Sequence, residues 1–429
     1  MVYSATPLKI WDECKTLTLN YYRAMFTARE EGRKLAWMGA SAPPELVRVF
    51  DIVPVAGEPY SATSNFRPNL TMKFMQAVEK AGFPRDLCCY TRTFLGSILT
   101  QESPFGELPS PDFIISVKWD CTTHIQWWHN AARLTGKPFF IIESSPCEEG
   151  IKEYHIDYFV TQLKRLIGFL EEMTGKKLDE EKLIQNVHYA YQATEIWDDI
   201  LQLCQAIPSP LNYKSFLTLM VPAILMRGTR TAVEYYQRLR DELAGRVREG
   251  ISGIPEEKYR LIWINLPLWY NMALLKELDQ AGAAVVASPY TAMWGNIFTK
   301  TRHKPSSYDP KMYEYKPPTN TDEALREIAK SWMGRTSFSD FKSQKNLLKW
   351  MIEGFKIDGV ISHDNRGCKV FPLGQMDLMK WIQDQYDMPI MIFEANHGDP
   401  SNFSEGQIST RLQAFLEVLQ QRPQRCQIR

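Results

Sequence analysis

Short apolar runs recur along this chain, each closed by a turn and followed by a stretch of helical period. Phe113-Ile-Ile-Ser-Val117 leads through Lys-Trp-Asp-Cys121 into a helix-like segment ending near Leu134, then Gly136-Lys-Pro138 and a second run, Phe139-Phe-Ile-Ile-Glu143. Gly359-Val-Ile-Ser-His363 leads through Asp-Asn-Arg-Gly-Cys368 into a helix-like segment through Trp381, then Met388-Pro389 and Ile390-Met-Ile-Phe-Glu394. Apolar runs of strand length separated by an amphipathic helix predict parallel βαβ units. Cys121 and Cys368 fall at the same point of the two copies, between a strand's carboxyl end and a helix's amino end. Ligands collect at that edge of an open α/β sheet, and a helix amino end lowers a thiol's pKa and favours an anion. The plainer reading is that every doubly wound protein repeats strand, helix and strand, and that free cysteines are common core residues.

The pattern divides the chain into four parts. Residues 1–39 read as an N-terminal helical segment, helical from Leu8 to about Trp37. Residues 40–150 alternate strand and helix signals, with Ile52-Val-Pro-Val55, a helix around Met72 to Ala81, and the first cysteine unit. Residues 151–255 read as a helical connector, interrupted at Pro208-Ser-Pro210 and resumed from Thr229 to Arg248. Residues 256–429 alternate again through Tyr259 to Ile264, Ala283 to Ala287, a helix near Asp322 to Trp332, the second cysteine unit and a helix over Ser404 to Leu419. The Pro/Tyr/Lys-rich stretch Arg302 to Asn320 reads as a loop. The expected fold class is α/β: two doubly wound, Rossmann-like parallel-sheet lobes with an N-terminal helical layer and a helical connector. The cleft between two such lobes is a favoured place for a ligand.

Composition narrows the function classes. Apolar residues make up 44% and charged residues 23% of the 429, as in soluble globular proteins. Fifty Lys and Arg balance fifty Asp and Glu, so charge gives no argument for nucleic acid or membrane as a partner. The first residues lack the apolar core of a secretory signal, and Phe216 to Met226 falls far short of the ~20 residues that span a bilayer. A cytoplasmic protein is expected.

Eight cysteines, at 14, 88, 89, 121, 147, 204, 368 and 426, are not expected to form disulfides in a reducing compartment. No C-x₂-C pair is present, so a metal site would be assembled from distant segments. Neither a P-loop nor a G-x-G-x-x-G fingerprint occurs, so any ATP hydrolysis belongs to another chain. A third thiol candidate is Cys88, in Asp86-Leu-Cys88-Cys89-Tyr90-Thr-Arg92. Three thiolates meeting between two lobes suit either a zinc ion completed by His or a [4Fe–4S] cluster with one iron left for another ligand. His124, one turn beyond Cys121, and His363, at the end of the strand before Cys368, are both expected near the cleft. Trp119, Trp127 and Trp128 crowd the first cysteine helix, as core or as a dry wall that excludes water. Arg92, Arg366 and Lys369 stand beside the cysteines, either screening an anionic group or serving as ordinary surface charges.

In their order along the chain, a set of segments resembles the benzoyl-CoA reductase and 2-hydroxyacyl-CoA dehydratase family. They are Ser41-Ala-Pro-Pro-Glu45, Gly57-Glu58-Pro-Tyr60, Asp86 to Arg92, Pro111-Asp-Phe-Ile-Ile before Cys121, Lys258-Tyr-Arg-Leu, Val285-Val-Ala-Ser-Pro-Tyr-Thr291, Asn365-Arg-Gly-Cys368-Lys, Gly374-Gln375 and Asp399 to Arg411. The resemblance runs over nearly the whole chain. It implies one [4Fe–4S] cluster per chain held by Cys88, Cys121 and Cys368, with Cys89 standing where a small residue is usual and Cys88 the favoured member of that pair. It also implies a second homologous large subunit, ATP-hydrolysing iron–sulfur activator subunits with ferredoxin as electron source, and an acyl-CoA thioester as substrate. Glu58 matches an active-site segment of the family and is the candidate carboxylate near the cluster, as ligand or proton relay. His124 is the second catalytic candidate. Gly57-Glu58-Pro-Tyr60 looks more like the core subunit of a class I benzoyl-CoA reductase, so an ATP-dependent reduction of an aromatic acyl-CoA to a cyclic diene is expected. The alternative is a 2-hydroxyacyl-CoA dehydratase, which Asn365 to Lys369 and the Phe403-Ser-Glu tail also resemble; Asn396 replaces an acid common at that point. A reading from another class is a non-catalytic electron-relay or zinc-binding scaffold subunit.

Overall fold

Runs too short and too apolar to show alternation become buried parallel strands. The computed structural model of the chain describes residues 7–118, 121–145, 151–296, 314–336 and 341–422. Trp119, Cys147, Cys426 and residues 302–313 of the expected loop lie outside the described residues. Its strands are β1 (Leu35–Met38), β2 (Val53–Ala56), β3 (Glu102–Ser103), β4 (Gly106–Glu107), β5 (Phe113–Val117), β6 (Phe139–Ile142), β7 (Tyr259–Ile264), β8 (Ala283–Ala287), β9 (Gly359–Asn365) and β10 (Ile390–Ala395). One sheet has the order β2-β1-β5-β6 and the other β10-β9-β7-β8; β3 and β4 form a small hairpin. Every pair within the two larger sheets is parallel. The chain is an α/β protein with two parallel-sheet lobes.

Both faces of the first sheet are covered. Leu35 and Trp37 of β1 join one core with Val53, Val55 and Ile114, whereas Ala36 and Met38 join another with Phe113, Ile115 and Val117. The period of two sends alternate residues to opposite faces, and with both faces apolar the strand reads as an unbroken hydrophobic run. Sequence pattern therefore extends the N-terminal helix to about Trp37, while the structure ends it at Thr27 and turns through Gly32, at φ 68°, into β1. A short apolar run looks the same in a buried strand and a buried helix.

Helix Thr321–Thr336 packs away from the region in which the sequence places it. Its Ala324, Leu325 and Ile328 join the core under the first sheet, beside Phe159, Leu163 and Leu166 of helix Glu153–Thr174 and Leu183 and Val187 of helix Glu180–Leu203. Amphipathic period shows that a helix has an apolar face but not which sheet receives it. Polar contacts fix the address. Arg326 pairs with Asp157 at 2.6 Å and also with Glu153, and the buried Glu45 carboxylate accepts from Trp332 Nε1 at 2.8 Å and Arg227 Nε at 3.2 Å.

The lobes are clamped by a buried arginine. Arg92, on helix Cys89–Thr100, is 2% exposed and pairs with Glu79 of helix Pro68–Lys80 and with Asp399, just beyond β10, both at 2.7 Å. Arg92 thus braces two lobes, while Arg366 pairs with Glu394 at the surface at 2.5 Å. Among the described residues no helix is long and apolar enough to cross a membrane.

Candidate functional site

Strand carboxyl ends carry the candidate chemistry, as doubly wound sheets favour. β2 runs directly into helix Gly57–Asn65, whose second residue is Glu58. β5 leads to Cys121, β8 to Ser288 and Tyr290, and β9 to the turn Asn365-Arg-Gly-Cys368, closed by Cys368 N–H donating to Asn365 O at 3.0 Å. Cys88 joins them as the N-terminal cap of helix Cys89–Thr100.

Gly367 brings Cys368 against Cys88. Its N–H donates to Asn396 Oδ1 at 3.0 Å, and a Cβ there would lie 3.2 Å from Leu87 O and 3.5 Å from Cys88 Cα. A side chain there would push the second-lobe turn and the first-lobe helix apart by a few tenths of an ångström. The carboxamide oxygen of Asn396 serves as the acceptor here, which is all that an acid at this position would contribute to the same bond.

Each of the three thiols faces main-chain amides. Cys121 caps helix Thr122–Thr135, its Sγ accepting from His124 N–H at 3.3 Å. The Thr91 amide faces the Cys88 sulfur without closing a capping bond, and those of Phe371 and Val370 face Cys368. Burial pushes the Cys88 thiol well above its ordinary range, and the neighbouring sulfurs of Cys368, Cys89 and Cys121 push the same way. Burial also raises Cys368, against the pull of its two amides and Lys369. Desolvated sulfurs that repel one another as thiolates, yet are faced by N–H groups that favour thiolate, make a donor set that could hold a polynuclear cation. Among the described residues no three His, Cys, Asp or Glu side chains stand together as ligands of one metal ion. Thiolates on separate irons of a cluster stand farther apart than the ligands of a single zinc ion.

Cys89 faces the other way. Its buried sulfur meets the Gly398 and Asp399 amides, and burial pushes its thiol up to about 12. Cys14 and Cys204 are buried in the core.

Glu58 and His124 stand together beside Cys121. Glu58 Oε1 lies 2.8 Å from His124 Nε2, and Oε2 accepts from Ala40 N–H at 2.8 Å. Trp128 Nε1, which can only donate, lies 3.0 Å from the same Nε2. Nε2 thus sits between an indole that can only donate and a carboxyl oxygen, which places an acid–base pair beside Cys121. Two glycines make room. A Cβ on Gly39 would lie 2.7 Å from His124 Cε1, and one on Gly57 2.7 Å from the Trp128 ring. Trp127 and Trp128 stack at 4.7 Å and are buried in the core, forming the apolar wall behind the pair. His363 is a brace: its ring nitrogens approach Leu266 O at 2.7 Å and Ala395 O at 3.1 Å, and burial pushes it down to about 4.

Sequence reasoning gave no role to three aromatics at the lobe boundary. Trp269 Nε1 donates to Tyr90 Oη at 2.6 Å, Tyr290 packs edge-on against Trp269 at 6.2 Å, and His397 packs edge-on against Tyr90 at 4.4 Å. Tyr90 and Tyr290 both lie inside segments that carry the family resemblance, which was the available signal. Trp269 lies in none.

Known proteins resemble the chain over most of its length. The chain is 27% identical over 410 residues to the (R)-2-hydroxyisocaproyl-CoA dehydratase alpha subunit of Clostridioides difficile, covering 95% of each chain. It is 26% identical over 395 residues to the (R)-phenyllactyl-CoA dehydratase alpha subunit of Clostridium sporogenes, covering 91% of each. It is 28% identical over 393 residues to a benzoyl-CoA reductase subunit of Thauera aromatica, covering 88% of this chain and 87% of that one. The profile of the 2-hydroxyglutaryl-CoA dehydratase D-component matches residues 40–419, from the turn after β1 to the C-terminal helix, and the chain belongs to that family of enzyme subunits.

Proposed function

We propose that this chain is the alpha-type subunit of a dehydratase acting on an (R)-2-hydroxyacyl-CoA, with Cys88, Cys121 and Cys368 holding one [4Fe–4S] cluster. The observation that supports the reading is the approach of the second-lobe turn at Gly367 and Cys368 to Cys88 of the first lobe, with Cys121 capping the helix that carries His124 of the Glu58–His124 pair. The relatives named for acyl-CoA dehydratases support the substrate class. A bound cluster would supply electrons one at a time at low potential. The chain's own residues would do the rest. Helix amino ends at Cys88 and Cys121 favour anionic charge, the Trp127–Trp128 wall excludes water on one side, and the hydrogen-bonded pair of Glu58 and His124 can pass a proton to or from substrate. The partners in this reading are a second homologous large subunit and an ATP-hydrolysing iron–sulfur activator charged by ferredoxin.

Reduction of benzoyl-CoA is the second reading, favoured by the identity to the Thauera aromatica benzoyl-CoA reductase chain and by Gly57-Glu58-Pro-Tyr60. The test is anaerobic turnover of the assembled complex with activator, ATP and reductant, offered (R)-2-hydroxyacyl-CoA or benzoyl-CoA. The dehydratase reading predicts an enoyl-CoA from the first and no diene from the second. A cyclic dienoyl-CoA as the sole product would replace it with the reductase, and no product from either would refute both.

A further inference from the structure

Residues 396–399, just beyond β10, reach both lobes through consecutive positions. Asn396 Oδ1 accepts from Gly367 N–H at 3.0 Å and so holds the turn that carries Cys368. His397 is fully buried, and its Nδ1 lies 2.9 Å from Asn365 Nδ2, while Asn365 O accepts from Cys368 N–H at 3.0 Å. Toward the first lobe, the His397 ring packs edge-on at 4.4 Å against Tyr90, on the helix that Cys88 caps. Gly398 lies against the last residue of the helix that carries Glu58: a Cβ there would stand 2.1 Å from Asn65 Nδ2 and 3.1 Å from Cys89 Cβ. Asp399 completes the row through its pair with Arg92 at 2.7 Å. One atom in this row is left over. His397 Nε2 is buried and meets no hydrogen-bond partner among the described residues. A phenylalanine would fill the same space without that desolvated nitrogen, so packing alone does not account for a histidine here; the bond of its other nitrogen to Asn365 does.

We propose that Asn396 and His397 are positioning residues that pre-form the Cys368 turn against Cys88, so that the cluster is received by thiols already in place. The role rests on the [4Fe–4S] reading above and adds to it the residues that hold the second-lobe thiol. Thiolates drawn together out of water repel one another, so the sulfurs by themselves would part the lobes at this point. A segment bonded to the Cys368 turn on one side and packed on the Cys88 helix on the other opposes that. Partners that stand behind metal ligands fix the ligands' orientation, and losing one typically costs about 10–100-fold in metal affinity. Asn396 and His397 act through Cys368 and not on iron.

The test measures iron release to a ferrous chelator from the anaerobically purified full chain, beside urea unfolding of the same samples. Asn396→Ala removes the acceptor of Gly367 N–H, and His397→Phe keeps a ring against Tyr90 but loses the bond to Asn365. Each is expected to release iron about tenfold faster than the wild type, the lower end of what losing such a partner costs. Thr194→Val is the control: it removes a buried hydrogen bond to Arg227 elsewhere in the fold, so it is expected to lower stability and leave iron release unchanged. Amide exchange of the wild type needs no variant. The Gly367 and Cys368 amides are expected to exchange slowly with iron bound and equally slowly after its removal, because their acceptors belong to the chain. Fast exchange of these amides in the iron-free chain overturns the role, as does iron release in both variants no faster than in Thr194→Val. If neither variant folds, the exchange measurement decides. A wild type that binds no iron refutes the cluster reading, and the role with it; a wild type that binds iron and fails either arm refutes the role alone.

Discussion

Replacing Arg92 by Met tests whether the lobes are clamped by charge. The substitution keeps much of the aliphatic stem and removes the guanidinium from Asp399, whose side chain is 4% exposed, and from Glu79, which is 22% exposed. Removing one partner of a buried pair costs about 3–5 kcal/mol, because the other charge is left desolvated. Asp399 still accepts from Ser401 N–H at 2.9 Å and Glu79 reaches water, so the lower end, about 3 kcal/mol, is expected. Urea unfolding of Arg92→Met, Asp399→Asn and the double variant measures this, and the cycle isolates the pair. Acid titration gives a second reading. Burial alone would raise the Asp399 carboxyl, but its bonds to Ser401 and the Arg92 charge outweigh burial and hold it below the ordinary range. Its folded value therefore lies below the unfolded ~3.9, so the stability it contributes is present above about pH 4 and is lost as pH falls further. Arg92→Met should flatten that loss. A cost below ~1 kcal/mol, typical of an exposed pair, or an unchanged acid limb would refute the clamp.

Two further outcomes follow from the site. Cys89→Ala should leave iron content unchanged while lowering thermal stability modestly, because the buried Cys89 sulfur is taken up by the Gly398 and Asp399 amides; iron loss in this variant would exchange the roles of Cys88 and Cys89. Glu58→Gln keeps the bond from Ala40 and the shape of the side chain but removes the ionisable carboxyl, so kcat should fall by ~10²-fold or more with the cluster's EPR signal retained, the usual worth of a positioned acid or base.

The parallel units around Cys121 and Cys368 were legible because each apolar run was bounded by turn residues and followed by a helix of clear period. The thiols' position at the sheet edge followed from that alone. The approach of the Cys368 turn to Cys88 did not, since it depends on Gly367 lying against Leu87 O, a contact between lobes. Helix Thr321–Thr336 was legible as a helix and misplaced among the lobes, because its address is written in Arg326 and Trp332 contacts with distant partners. Arg92 read as a possible screen for an anionic group because it follows Cys88 closely; one helical turn points it instead at Glu79 and Asp399. The Trp269–Tyr90 hydrogen bond was hidden for the same reason as the clamp, as its members come from both lobes.

The central claim is that three cysteines hold one iron–sulfur cluster, and metal analysis of anaerobically purified protein tests it most directly. The account predicts about four iron and four sulfide per wild-type chain, with both lost in Cys88→Ser, Cys121→Ser and Cys368→Ser and retained in Cys14→Ser and Cys204→Ser. Stoichiometric zinc in place of iron, or full iron and sulfide in Cys368→Ser, would contradict it.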